Sequence, residues 1–182
     1  MLFNLLFLVA CVLMLVGKDH TKCTTKFLTL NEEQMVGQWR VSDPLWPAFL
    51  PIQDRLGAQE VYRIILVNND GGTIGHTVYR YCNRWLAAFH FWFDKAVFFP
   101  SISTEWSELQ EANHWPLHAD QRDVRCGVAI DPPLEDKCSA VLRYGVYISD
   151  FDASTSGAGA VSLEEFREIV LKIDERFQLC GE

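Results

Sequence analysis

The chain has 182 residues, of which 16 are Lys or Arg and 24 are Asp or Glu, and its formal net charge is −8. Hydrophobic residues make up 49 % and charged residues 22 %, so the chain can bury enough apolar surface to offset its ordering entropy and fold as a globular domain. An acidic chain without a run of Lys and Arg is repelled by a phosphate backbone, so we exclude nucleic-acid binding.

The chain begins with an almost entirely apolar stretch at residues 2–16, which is followed by Gly17 and Lys18. At about 1.5 Å per residue in a helix, this stretch is too short to cross a bilayer comfortably. The pattern predicts a secretory signal at residues 1–17 and one folded domain at residues 18–182, and hence a secreted, extracellular protein. An uncleaved anchor is the alternative, and a retained segment would permit association with a membrane or a lipoprotein.

Six cysteines are present, and Cys11 falls inside the predicted signal. The five that remain form an odd set in an oxidising compartment, so at most two bridges form and one thiol is left. No pair has CxxC spacing and no Cys/His cluster resembles a zinc site, so disulfides are favoured and no metal site is expected. The five are Cys23, Cys82, Cys126, Cys138 and Cys180.

The first half of the domain reads as a short helical turn followed by strands. Residues 29–35 combine a cap-like Thr or Asn with two acids, which predicts a helical turn, and residues 36–41 predict a first strand. Three prolines make residues 42–53 a loop. Residues 60–67 are rich in β-branched side chains and run into Asn68-Asn69-Asp70-Gly71-Gly72, which predicts a tight hairpin. The aromatic-rich stretch at residues 73–93 predicts further strands.

The second half continues as strands and closes with one helix. Strands are predicted at residues 96–99, 114–118, 124–130 and 141–149. A turn at Asp131-Pro132-Pro133 would bring two strands together, which predicts the bridge Cys126–Cys138. Ser162 and Glu165 form a capping box, and the helix that follows carries one apolar stripe and a charged opposite face. The stripe comprises Leu163, Phe166, Ile169, Val170 and Ile173.

Many strands followed by a helix indicate a sandwich or a closed barrel. Three stretches resemble the lipocalins: Gly37-Gln38-Trp39, the hairpin at residues 62–85, and Tyr144-Gly145-Val146-Tyr147-Ile148 ahead of the helix. Within that family the chain is most similar to the alpha-1-acid glycoprotein and apolipoprotein M group. The resemblance implies an all-β fold, an eight-stranded antiparallel up-and-down barrel with one C-terminal α-helix packed outside. It also implies a carrier of a small hydrophobic or amphipathic ligand, such as a lipid, retinoid or steroid.

The resemblance assigns roles to individual residues. Gly37 and Trp39 become a structural motif at the closed end of the barrel, and a bridge Cys82–Cys180 would tie the C-terminal tail to the barrel wall. If Cys82 faces outward, strand alternation turns the neighbouring residues of the other parity into the lumen. The ligand-binding candidates are Tyr62, Ile64, Tyr79, Tyr81, Asn83 and Trp85. The alternative is that these side chains only fill the barrel interior.

Two other function classes stay open at this point. A calcium-dependent interaction module would use the acidic segment at residues 150–165, although counting back from Glu165 places Asp150 and Asp152 too early for a calcium loop. A thiol-dependent isomerase would use Cys23. No nucleophile elbow, HExxH or Gly-rich phosphate loop is present, so we expect no enzyme and no cofactor.

Overall fold

The computed structural model describes residues 23–31, 35, 38–42, 57–97, 104–130 and 135–181. The predicted signal at residues 1–17, Gly37, residues 43–53 of the predicted loop and the predicted turn at residues 131–133 lie outside the described residues. In chain order the elements are α1 (Thr25–Leu28), β1 (Trp39–Val41), β2 (Ala58–Asn68), β3 (Thr73–Tyr81), α2 (Arg84–Val97), β4 (Thr104–Glu108), a 3-10 helix (Gln110–His114), β5 (Gln121–Ala129), β6 (Lys137–Tyr144), β7 (Tyr147–Ser154) and α3 (Leu163–Gly181).

The strands form one antiparallel sheet in the order β1-β2-β3-β7-β6-β5-β4. Two meanders, β1 to β3 and β4 to β7, are joined where β3 pairs with β7. The prediction of a mostly antiparallel β fold with a C-terminal helix is confirmed. The finer expectation of eight strands in up-and-down order is wrong for the described residues, because seven strands are present and β3 neighbours the last strand instead of β4.

One face of the sheet, here called the α3 face, carries the larger core. Ile74, Val78 and Phe151 project from neighbouring strands and are fully buried against Phe166 and other residues of α3. Phe151 and Phe166 stack with ring centroids 5.2 Å apart. Four residues of the predicted stripe are buried in this core, namely Phe166, Ile169, Val170 and Ile173, whereas Leu163 is exposed. Burial of each large side chain contributes about 1.5–3 kcal/mol.

The opposite face, here called the α2 face, is covered by α2. Tyr79, Tyr81 and Ile148 of the sheet pack with Leu86 and Phe91 of the helix. The prediction of strands through residues 84–93 is wrong, and so is the strand predicted at residues 96–99 in its described part, because α2 runs to Val97. Asn83 caps a helix there, because its Oδ1 accepts a hydrogen bond from the Leu86 N–H at 2.9 Å. The segment misleads because aromatic side chains favour strands, and the exposed side of α2 is aromatic too, with Trp85 57 % and Trp92 69 % exposed.

The structure also bears on three other local predictions. A helix capped by Thr24 lies at Thr25–Leu28, before the helical turn predicted at residues 29–35, of which residues 32–34 lie outside the described part of the chain. The stretch predicted as a strand at residues 114–118 follows a 3-10 helix and has no ladder partner among the described residues. The single strand predicted at residues 141–149 is two strands, because Gly145 turns the chain with φ of +58°.

Two disulfides hold the fold. Cys126 pairs with Cys138, as the sequence predicts, and these two residues are register partners on β5 and β6. Cys23 pairs with Cys180, and Cys82 is a buried free thiol, so the predicted bridge Cys82–Cys180 is wrong. Cys82 lies in the cluster under α2, whereas Cys180 packs against the core of the α3 face. Two disulfides indicate an oxidising environment.

Within the described part of the chain, no helix is both long enough and apolar enough to cross a membrane.

Candidate functional site

A pocket of about 370 Å³ opens between the start of α3, the turn that joins β2 to β3, and the beginning of β1. Buried Met35, Val161 and Ile169, together with half-buried Trp39, supply its apolar lining. The remaining lining residues are mostly polar: Gln38, Asn68, Asn69, Asp70, Gly159, Ala160, Glu165, Glu168 and Lys172. A volume of this size fits a small organic molecule.

The turn between β2 and β3 forms one wall. Asn68 organises the turn, because its Oδ1 accepts hydrogen bonds from the N–H groups of Gly72 at 2.8 Å and Asp70 at 3.1 Å. The Asn68 N–H donates to the carbonyl of Gly72 at 3.1 Å, and Gly71 takes a φ of +95° that favours glycine. The Asn-Asn-Asp-Gly-Gly sequence therefore forms the hairpin that its residue types predict.

The same Asn68 fastens the turn to the loop ahead of α3. Its Nδ2 donates to the carbonyl oxygen of Gly159 at 2.8 Å. A Cβ on Gly72 would overlap that carbonyl, so the two segments approach closely only because Gly72 has no side chain. The pocket wall is thus fixed by hydrogen bonds between residues about ninety positions apart in the chain.

The first turns of α3 form the second wall. Ser162 donates from its N–H and its Oγ to Glu165 at 2.8 Å each, and the Glu165 N–H donates back to Ser162 Oγ at 3.2 Å. This capping box sets where the helix begins. Glu165, Glu168, Ile169 and Lys172 follow at spacings of three, four and seven, so they share the side of the helix that lines the pocket.

The rim combines hydrogen bonding with an excess of negative charge. Asn69 Nδ2 donates to Gln38 Oε1 at 2.5 Å, which ties the turn to the residue before β1. Among the lining residues that the structure describes, Asp70, Glu165 and Glu168 are acidic and Lys172 is the only cation. Hydrogen bonds from the backbone and side chain of Ser162 lower the pKa of Glu165, so this carboxylate stays ionised at neutral pH.

The predicted ligand-binding residues do not converge. Tyr79 and Tyr81 are buried on the α2 face, whereas Tyr62 and Ile64 are the register partners of Val78 and His76 on the α3 face. Asn83 caps α2, and Trp85 stands exposed on that helix. These residues would converge if all side chains of one strand parity faced a single enclosed lumen. The sheet instead has two faces, and each face is covered by its own helix.

The structure places Trp39, the predicted motif residue, at the start of β1. It pairs with Asn68 in the ladder between β1 and β2 and lines the pocket. The pocket residues Asn68, Gly159, Glu168 and Lys172 were missed by sequence reasoning. Local signals marked Asn68 as a turn residue and Ile169 as part of an apolar stripe, but no local signal shows that the two segments meet.

The calcium alternative finds no support in this arrangement. Asp150 and Asp152 lie on β7 with the parity of the α2 face, while Glu165 is engaged with Ser162. Burial raises the pKa of Asp152, and the charges of Arg63 and Lys137 oppose that rise. The described residues contain no group of three or more His, Cys, Asp and Glu side chains placed to hold a metal ion.

The isomerase alternative would need a free thiol at Cys23, but Cys23 is bonded to Cys180.

A second polar cluster surrounds buried Asp174 of α3. Its carboxylate accepts from the His118 N–H, from Tyr144 Oη at 2.8 Å and from Gln178 Nε2 at 3.0 Å, and it lies 2.9 Å from His118 Nδ1. These contacts fasten α3 to the loop before β5 and to the end of β6, which is a structural role.

No protein-family model, no curated protein and no solved structure matches this chain. The resemblance to the lipocalins rests on residues 37–39, 62–85 and 144–148 alone.

Proposed function

We propose that the protein is a secreted carrier that binds a small amphipathic molecule. The ligand occupies the pocket beside Trp39, between α3 and the turn from β2 to β3. The observation that carries this proposal is a pocket of about 370 Å³ that has an apolar lining inside and polar groups at its rim. Ligand sites in proteins commonly combine apolar walls with a few placed polar groups.

Pre-organisation supports the proposal. Asn68, Gly72 and Gly159 hold one wall, and the capping box at Ser162 holds the other, so binding does not require a new backbone arrangement. A preformed site binds more tightly than one that must be ordered by its ligand. Half-buried Trp39 offers an aromatic surface that a ligand would cover.

The proposal that the protein is secreted rests on residues outside the pocket. The apolar stretch at residues 2–16 is typical of a secretory signal, and the bridges Cys23–Cys180 and Cys126–Cys138 suit an oxidising compartment. Lipocalin membership remains a proposal, and ligand binding in this pocket does not depend on it.

The neutral fluorophore N-phenylnaphthylamine tests this function. We expect saturable one-to-one binding to the purified protein, seen as increased emission. Trp39→Ala removes apolar contact area and should weaken the affinity by about tenfold. Trp92→Ala is the matched control, because Trp92 is 69 % exposed on α2 and does not line the pocket.

Equal affinities in the parent and Trp39→Ala, with both variants folded by circular dichroism, would contradict the proposed location. Absence of saturable binding in the parent would contradict the carrier function itself. Native mass spectrometry of the secreted protein adds a test that needs no added probe, since a bound natural ligand would appear as a discrete mass increment.

A further inference from the structure

We propose that the pocket selects organic cations, with the apolar part of the ligand against Trp39 and an ammonium group at the acidic rim. This inference rests on the proposed function, because it assigns a chemical class to the same site. Its basis is the charge of the rim residues and the hydrogen bonds that they already make.

The rim has an excess of negative charge. Among the described lining residues, three carry a carboxylate (Asp70, Glu165 and Glu168) and one carries an ammonium group (Lys172). Lys172 lies one helical turn after Glu168, and its single positive charge leaves a net charge of about −2 on these four residues. The whole chain adds to this field with its formal net charge of −8.

The neutral polar groups of the rim are already engaged with one another. Asn68 uses its side-chain oxygen for the turn and its nitrogen for Gly159, and Asn69 donates to Gln38. The carboxylates are therefore the groups that distinguish ligands by charge. Glu165 keeps its charge through the neutral range because Ser162 stabilises the ionised form.

Trp39 favours the same class of ligand. An indole face attracts an ammonium or a quaternary ammonium group, and this attraction adds to the apolar contact of the ligand body. A carboxylate ligand would instead meet like charges at the rim, which disfavours binding. An amphipathic cation thus satisfies the lining and the rim at once.

Three probes that share an eight-carbon chain test this inference by isothermal titration calorimetry: octylamine, octanol and octanoate, each below its micelle concentration. We expect octylamine to bind most tightly and octanoate most weakly, with about tenfold or more between them at low salt. Added salt should weaken octylamine binding and leave octanol binding unchanged.

Charge-removing variants locate the effect. Asp70→Asn and Glu168→Gln should each weaken octylamine binding by about two- to fivefold while leaving octanol binding unchanged. Glu175→Gln is the matched control, because Glu175 is an exposed acid of α3 that does not line the pocket. Lys172→Gln should strengthen octylamine binding.

The outcomes separate the two proposals. Equal affinity for octylamine and octanol would overturn the charge selection and leave the carrier function standing. Tightest binding of octanoate would overturn it in favour of Lys172 as an anion anchor. Failure of octanol and of N-phenylnaphthylamine to bind would overturn the carrier function as well.

Discussion

His76 joins the N-terminal segment to the sheet and is fully buried. Its Nδ1 accepts a hydrogen bond from the Leu30 N–H at 3.1 Å, so the ring is neutral and Nε2 carries the proton toward Ser149 Oγ at 2.9 Å. Burial and the charge of Arg176 lower the pKa of His76 to about 3. A single side chain thereby links residue 30 to two central strands and titrates far from the usual range of a histidine.

This burial predicts a pH-dependent stability. Between the folded pKa of about 3 and an unfolded value of about 6.5, the unfolded state binds the extra proton. The contribution of neutral His76 is complete above about pH 6.5 and is lost as the pH falls toward 3, by about 1.4 kcal/mol per pH unit. We expect the free energy of unfolding, measured with urea, to fall accordingly between about pH 6 and 5.

His76→Asn supplies the comparison, and it should show a shallower pH slope in that window. His90, whose pKa burial lowers to about 4, contributes in the same direction and is present in both proteins. Parallel slopes for the parent and His76→Asn would contradict the assignment of a buried neutral imidazole.

Among the helices and strands, α2 is the one whose secondary structure depends on the residues that pack against it. Leu86 and Phe91 of α2 are buried, whereas Trp85 and Trp92 of the same helix are exposed to solvent. These positions follow a helical period, and a strand would instead bury alternate residues. The side chains that face the sheet therefore contribute to stability, and the exposed aromatic side chains do not.

Paired substitutions test this assignment. Leu86→Ala leaves a cavity against Tyr79 and Ile148 and should lower the free energy of unfolding by about 2–5 kcal/mol. Trp92→Ala should change it by less than about 0.5 kcal/mol, because the side chain is exposed. Chemical denaturation of the three proteins measures both effects. Comparable losses for the two variants would argue against a helix in this register.

At the scale of the whole molecule, the bridge Cys23–Cys180 ties the two ends of the described chain together across 157 residues. Closing so long a loop restricts the unfolded chain, which in the chain-entropy model stabilises the native state by about 5 kcal/mol. The adjacent hydrogen bond from Tyr147 Oη to the carbonyl of Cys23, at 2.6 Å, fixes the same segment to the sheet.

Cysteine variants and peptide mapping test the pairing. Non-reducing digestion should yield the linked peptides Cys23–Cys180 and Cys126–Cys138, with Cys82 alkylated only after denaturation because it is buried. Cys180→Ser should lower the melting temperature strongly, and Cys82→Ser should retain both bridges. A linked Cys82–Cys180 peptide would restore the pairing implied by the lipocalin resemblance.

Features that depend on residues close together in the chain can be predicted from the sequence. The capping box and apolar stripe predict α3, the Asn68 to Gly72 turn predicts the hairpin of β2 and β3, and the turn after β5 predicts the bridge Cys126–Cys138. Each is encoded by side chains a few positions apart, whose spacing matches a helical period, a turn geometry or a strand register.

Contacts between residues that are distant in the chain could not be predicted in this way. The pairing of β3 with β7, the bridge from Cys23 to Cys180, and the meeting of Asn68 with Gly159 join residues that are far apart in sequence. The helical state of α2 also depends on what its buried side covers, because its aromatic residues alone favour strands. These features depend on which surfaces are buried against each other in the folded chain. The same packing forms the pocket beside Trp39.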